Sequence, residues 1–233
     1  MLFNLLQAVA DTAALAPAAP LQQEMKLSLI DMAVKGGWLM IVLLILSIIA
    51  IYIFGNKWWM IRKAGKIDKN FMKDIHDMIH DGKIKSAIAL CQRYDSPVAR
   101  LVEKGIERIG RPLQDIQTAV ENMGNVEVAR LEKGLPMLAT ISGGAPMIGF
   151  LGTVTGMIEA FFRMSTAGNN IDITLLSGGI YEAMVTTVGG LFVGIIAYFG
   201  YNFLTSQISN LVFKMESTTI EFIDMLHEPS ATE

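Results

Sequence analysis

Between Leu135 and Ser206 the chain is apolar enough to sit in lipid, yet it carries Glu159 and Glu182 together with the hydroxyls of Thr153, Thr155, Thr186 and Thr187. An ionisable side chain at membrane depth costs a few kcal/mol even on lenient insertion scales, so by default it marks an ion or proton path. Hydroxyls beside such a carboxylate can hold a short chain of water molecules. Glu182 is followed by Thr186 at i+4 and is hemmed by glycines. Glu159 stands near the end of its segment, four residues before Arg163. A glutamate within a turn of a helix end can instead reach headgroup water, and that alternative stands for both positions, Glu159 above all.

Two helices must position these groups. The segments 135–164 and 176–203 are each long enough to cross a hydrocarbon core of roughly 30 Å. In the first, Ser142, Ala145, Gly149, Gly152 with Thr153, Gly156 and Ala160 fall on one stripe. In the second, Gly179, Ala183, Thr186, Gly190, Gly194 and Ala197 do the same. Small residues let helices approach closely in lipid, where no hydrophobic drive pulls them together. Each segment holds a GxxxG pair, Gly152/Gly156 and Gly190/Gly194, a weak signal singly and a stronger one as two extended faces. These faces are expected to exceed what three helices of one chain can bury, which predicts a homo-oligomer.

The runs FLGTVTGMIEAF (150–161) and GGIYEAMVTTVGGLFVGI (178–195) resemble, in this order and separation, the two pore-helix signatures of the MotA/TolQ/ExbB proton channel family. The resemblance covers the membrane core closely and the rest of the chain in layout only. It implies channel threonines at Thr153 and Thr187 and a pore glutamate at Glu182. Thr186 and Glu159 are further pore-lining candidates from the residues themselves, Glu159 having no part in the family pattern. It also implies a pentamer in the bacterial inner membrane around single-span ExbD-like or TolR-like helices, which bring the proton-carrying aspartate. A three-span layout with a large soluble insert after the first span is similar to the ExbB and TolQ branches and unlike the four-span flagellar stator subunit. The ExbB branch implies coupling of the proton motive force to TonB-dependent outer-membrane transport. The TolQ branch, serving the Tol-Pal envelope system, is the alternative. From the residues alone, a non-conducting membrane scaffold held by glycine faces is a further one.

The 233 residues are 52% hydrophobic and only 18% charged, too apolar for an ordinary soluble domain. A net charge of -3 without a basic stripe interleaved with aromatics argues against a nucleic-acid partner. The single cysteine, Cys91, permits no internal disulfide and reads as core filler. His76 and His80 stand at i, i+4 but lack a third ligand, so no metal site is expected. A Gly-rich phosphate loop, a Ser/His/Asp arrangement and a redox cysteine pair are all missing from the sequence, so neither an enzyme nor a cofactor is expected.

The plainest span is 36–56, uncharged throughout, with Trp38 at one end and Trp58 and Trp59 at the other, about 30 Å apart as a helix. It is expected to face lipid and to do no chemistry. Of the 19 Lys and Arg, all but Lys26, Lys35, Arg163 and Lys214 lie in 57–133. The positive-inside rule therefore predicts a periplasmic N-terminus and a cytoplasmic 57–134 segment. It further predicts a periplasmic loop over 165–175 and a cytoplasmic C-terminal helix and tail over 204–233. Residues 1–35 read as a retained amphipathic lead-in, with Leu2, Leu5, Leu6 and Val9 on one face and breaks at Pro17 and Pro20.

The spacing in the cytoplasmic segment predicts helices over 67–81, 84–94 and 98–109, with Asp95 or Ser96 as cap for the third. From Pro112 a helical pattern through Ile116, Val120, Met123, Val126, Val128 and Leu131 predicts one long helix running into the second span, bent at its glycines and prolines. Leu204, Ile208, Leu211, Met215, Phe222 and Leu226 extend the third span likewise. The fold class is thus an all-α membrane protein, with three transmembrane helices and long helices extending into the cytoplasm.

Overall fold

The computed structural model describes residues 37–68, 70–166 and 173–227. The amphipathic lead-in, the start of the first span at Gly36, most of the 165–175 loop and the last residues of the tail lie outside them. Among the described residues every regular element is a helix. These are α1 (Gly37–Ala64), α2 (Phe71–His80), α3 (Ile84–Arg93), α4 (Pro97–Ile106), α5 (Leu113–Glu132), α6 (Leu135–Thr166) and α7 (Ile173–His227). The apolar stretches of α1, α6 and α7 are long enough to cross a membrane. Helices are the natural form there, because lipid offers the backbone no hydrogen-bonding partner.

The short helices stop where the chain says so. After α2, Gly82 takes a positive φ of 71°, its N–H bonds to the Ile79 carbonyl at 3.0 Å, and the Lys83 N–H reaches back to Met78 at 2.8 Å. That is a Schellman closure, which a residue with a Cβ adopts only with strain. Pro97 opens α4 and Pro112 precedes α5. The single helix expected from 112 into the second span is instead two. Lys133 and Gly134 break it, Gly134 at a φ of 95°. Pro136 then costs no hydrogen bond, since it falls in the first turn of α6, whose N–H groups have no partner anyway. Pro146 does sit inside α6.

The cap expected of Ser96 also differs. Its side chain does not cap α4; buried, it donates to the Ala64 carbonyl at 2.9 Å, closing the end of α1. The end of α5 is closed from the opposite direction by Lys57 of α1, whose buried ammonium donates to the carbonyls of Arg130 and Leu131, each at 3.2 Å. A cation on terminal carbonyls satisfies orphan acceptors and complements the helix dipole. α1 and the short helices thus cap one another.

Helices α2, α4 and α5 pack against the far part of α7, and α3 joins them through α2 and α4. Phe71, Ile75, Ala87, Cys91, Val102, Ile106 and Val120 form one buried cluster with Leu211, Met215 and Phe222. Each large side chain so buried stabilises by about 1.5–3 kcal/mol. Burial pushes the Cys91 thiol up to about 12, an unreactive core residue. The core stripe of α5 departs from its sequence pattern. Ile116, Val120 and Leu131 are buried, but Val126 is 53% exposed and Glu127 takes the core position with no exposure at all. Arg100 accounts for this, donating to both Glu127 oxygens at 3.0 and 2.7 Å, while Arg130 adds a bond at 2.9 Å. The ion pairs continue outward through Asp95 to Lys63.

Candidate functional site

The two small-residue stripes meet each other. A Cβ on Gly190 would lie 2.5 Å from the Ala145 carbonyl oxygen, and one on Gly149 would lie 3.1 Å from the Gly190 Cα. Gly156 packs on Ala183, Gly179 on Ala160, Gly152 on Thr186, and Gly194 on the Pro146 ring and the Ser142 carbonyl. Pro146 has no N–H to give that carbonyl, so the missing bond and the missing side chain coincide. The expectation that these faces need a second copy is therefore corrected. α6 and α7 of one chain consume both, and Gly152 meets Thr186 and Leu39 of its own chain.

This close approach brings hydroxyls together. The Thr153 and Thr187 hydroxyls touch across the interface. Both also lie within reach of the Gly149 carbonyl, Thr187 at 3.0 Å and Thr153 at 3.3 Å, so their protons can be shared among three oxygens. Thr186 is buried and donates back to the Glu182 carbonyl at 3.1 Å. Such bonds to the preceding turn are the usual resting place of a threonine hydroxyl in a helix.

Beside this interface opens a cavity of about 630 Å³. Glu182, Tyr181 and Thr186 of α7 line it with Thr155, Glu159 and Arg163 of α6. The first turn of α1, Gly37 to Leu39, forms the remaining wall, so the span expected to do no chemistry lines the site as well. Glu182 reaches that turn: its Oε1 lies 2.7 Å from where a Cβ on Gly37 would stand. The start of a helix, with its partial positive charge, suits a carboxylate. Glu159 is paired with Arg163 one turn on, both largely exposed.

The structure therefore gathers Glu182, Thr186 and Glu159 on one cavity and pairs Thr153 with Thr187 outside it. The two sets adjoin through Gly152 and Thr186, which line the cavity and precede the paired threonines in sequence. Gly149, Gly190 and Gly194 hold the helices together without touching the cavity, whereas Gly152 and Gly156 do both. Arg163 and Gly37 are wall residues that the sequence reading did not place there. The i, i+4 spacing of Glu159 and Arg163 was the available signal for the first; nothing local signals the second. His76 and His80 stack at 6.3 Å on an exposed face, and among the described residues no group of three metal-ligating side chains occurs.

A carboxylate, hydroxyls and close-packed glycines thus meet on membrane-spanning helices. Comparison with known sequences finds relatives. A protein named as a biopolymer transport ExbB homolog from Methanothermobacter thermautotrophicus is 30% identical over 142 residues, 61% of this chain and 50% of that protein. The biopolymer transport protein ExbB of Xanthomonas campestris is 35% identical over 106 residues, 46% of this chain and 40% of that one. The Tol-Pal system protein TolQ of Haemophilus influenzae is 35% identical over 103 residues, 44% and 45% of the two. The chain thus spans about half the length of these relatives or less. Residues 93–217, which hold both small-residue stripes and the Arg100–Glu127 pair, match as a unit, and by that match the chain belongs to the MotA/TolQ/ExbB proton channel family.

Proposed function

We propose that this chain is the proton-channel subunit of an energy-transducing complex in a bacterial inner membrane, with Glu182, Thr153 and Thr187 on the proton path. The observation that carries the reading is the position of Glu182. It lies on the apolar stretch of α7, lines the cavity and is exposed on the single chain. A carboxylate left open to lipid is costly, so a second subunit, a partner helix or water must cover it. A homo-oligomer closed around an ExbD-like single-span helix supplies that cover, and exposed apolar side chains such as Phe150 and Phe192 supply contact area. The pentameric count and a TonB-like protein as the driven partner follow the ExbB branch. The TolQ relative is as similar as the Xanthomonas ExbB, so coupling to the Tol-Pal system is the second reading.

Proton uptake by proteoliposomes holding the complex with its single-span partner tests this. Glu182→Gln, Thr153→Val and Thr187→Val are expected to abolish uptake while the mass of the solubilised complex stays unchanged. Glu159→Gln is expected to be milder, because its side chain is exposed and already paired. Uptake by the Glu182→Gln complex would overturn the assignment, and loss of assembly would make Glu182 a packing residue. The proposed orientation, N-terminus periplasmic and C-terminus cytoplasmic, is tested in a Cys91→Ala background. A cysteine at Thr166 should label from the periplasmic side and one at Lys83 should not.

A further inference from the structure

At the opposite end of the spans from Glu182, a groove of about 400 Å³ runs between the end of α1 and α7. Its floor is apolar, formed by the buried Leu204 and Leu211. Its rim carries Arg62, Lys66 and Lys214, with the amides of Gln207 and Asn210 between them, and no carboxylate lines it. Among the described residues none of these three cations is in an ion pair, whereas their neighbour Lys63 is held by Asp95 at 2.8 Å. Arg62 lies over the Trp58 ring at 5.6 Å, which fixes its guanidinium at the mouth. Asp68 and Glu221 line the adjoining cavity, on the side away from the apolar span, Glu221 roughly two turns of α7 beyond Lys214.

The depth of the groove matters as much as its charge. Trp58 and Phe203 mark the last apolar turns of α1 and α7, the level at which aromatic rings sit among lipid headgroups. A cluster of unpaired cations between two spanning helices at this level, with hydrogen-bond donors behind it, is complementary to a phosphodiester carrying a net negative charge. We propose that the groove binds the headgroup of an anionic glycerophospholipid such as phosphatidylglycerol. Arg62, Lys66 and Lys214 face the phosphate, Gln207 and Asn210 the glycerol hydroxyls, and the exposed rings of Phe199 and Phe203 the acyl chains. The proposal rests on the membrane location of the chain; only its assignment to the cytoplasmic leaflet rests on the orientation proposed above.

Native mass spectrometry of the intact solubilised assembly, titrated with phosphatidylglycerol or phosphatidylcholine, provides the test. Phosphatidylglycerol should be retained at least about tenfold better, and each of Arg62→Gln, Lys66→Gln and Lys214→Gln should weaken it about fivefold. The triple variant should bind both lipids alike, while Lys85→Gln, exposed on α3, should change nothing. Equal binding of the two lipids by the wild type, or a triple variant with undiminished preference, would overturn the proposal. So would displacement of the lipid by inorganic phosphate, which would make the groove a small-anion site. Lipid retention and proton uptake are read separately on the same samples, so Glu182→Gln can fail one test without touching the other.

Discussion

Where α7 crosses α6 at Gly149 and Gly190, backbones touch and side chains are nearly absent; where it passes α4, the Phe222 ring fills the space left by Gly105 and is fully buried. One helix thus packs in two ways. In lipid the tails are as apolar as leucine, so association depends on close contact and on hydrogen bonds between hydroxyls and carbonyls. In water, removal of large apolar surface drives association, and charges such as Glu127 are tolerated only when fully paired. Sensitivity to substitution should invert between the two regions, adding atoms harming one and removing atoms harming the other.

The largest expected effect is at the aqueous end. Phe222→Ala should cost about 4 kcal/mol, read as lost thermal stability of the solubilised protein, because the α4 to α7 contact collapses only partly around the void. Comparable stability would mean that the domain does not depend on this ring. Next comes the inverse change in the membrane: Gly190→Ala should cost about 3 kcal/mol by driving a methyl against the Ala145 carbonyl. Gly143→Ala, with open space around it, should cost nothing by comparison. Equal melting of the two variants would remove the close-approach argument.

Breaking the ion-pair network should have an intermediate effect. Arg100→Ala strips Glu127 of its two-pronged partner and leaves Arg130, so about 2 kcal/mol is expected, less than for a fully orphaned buried charge. The smallest effect is at the exposed end of the network. Lys63 first and Arg100 second hold the Asp95 carboxyl below its usual range. A depressed folded pKa stabilises at neutral pH, and that contribution disappears as pH falls from about 4 through the lowered value. Asp95→Asn should therefore melt slightly lower at neutral pH and converge with the wild type in acid. A gap that persists in acid would mean that the side chain acts by packing.

Much of this was legible from residue types. Apolar length marked the spans, Pro112 marked a helix start, and the two small-residue stripes were visible as stripes. What a stripe cannot say is which surface it meets, and here the answer was the neighbouring helix rather than another copy. Glu127 was passed over because periodicity counts apolar residues, while the structure fills that core position with a carboxylate supplied by Arg100 from a different helix. Gly134 was weighed only as a bend, although its positive φ followed two residues later by Pro136 ends one helix and starts another. Lys57 and Ser96 close helices to which they do not belong, and such contacts leave no local trace. The cavity wall at Gly37 is of the same kind, made by an element remote in sequence from Glu182.

The break at Gly134 has no counterpart in α7, which runs for 55 residues, about 82 Å, from the cavity to its far end. α5 and α6 meet at that break; α7 has no such joint. Glu182 near one end and Phe222 near the other are therefore fixed points on a single shaft, about 60 Å apart along its axis. A twist imposed on the shaft at Glu182 reaches Phe222 reduced only by the torsional give of the helix itself, and Phe222 passes it to α4. A rotation of α7 as a whole would carry the Glu182 wall and the Phe222 contact together.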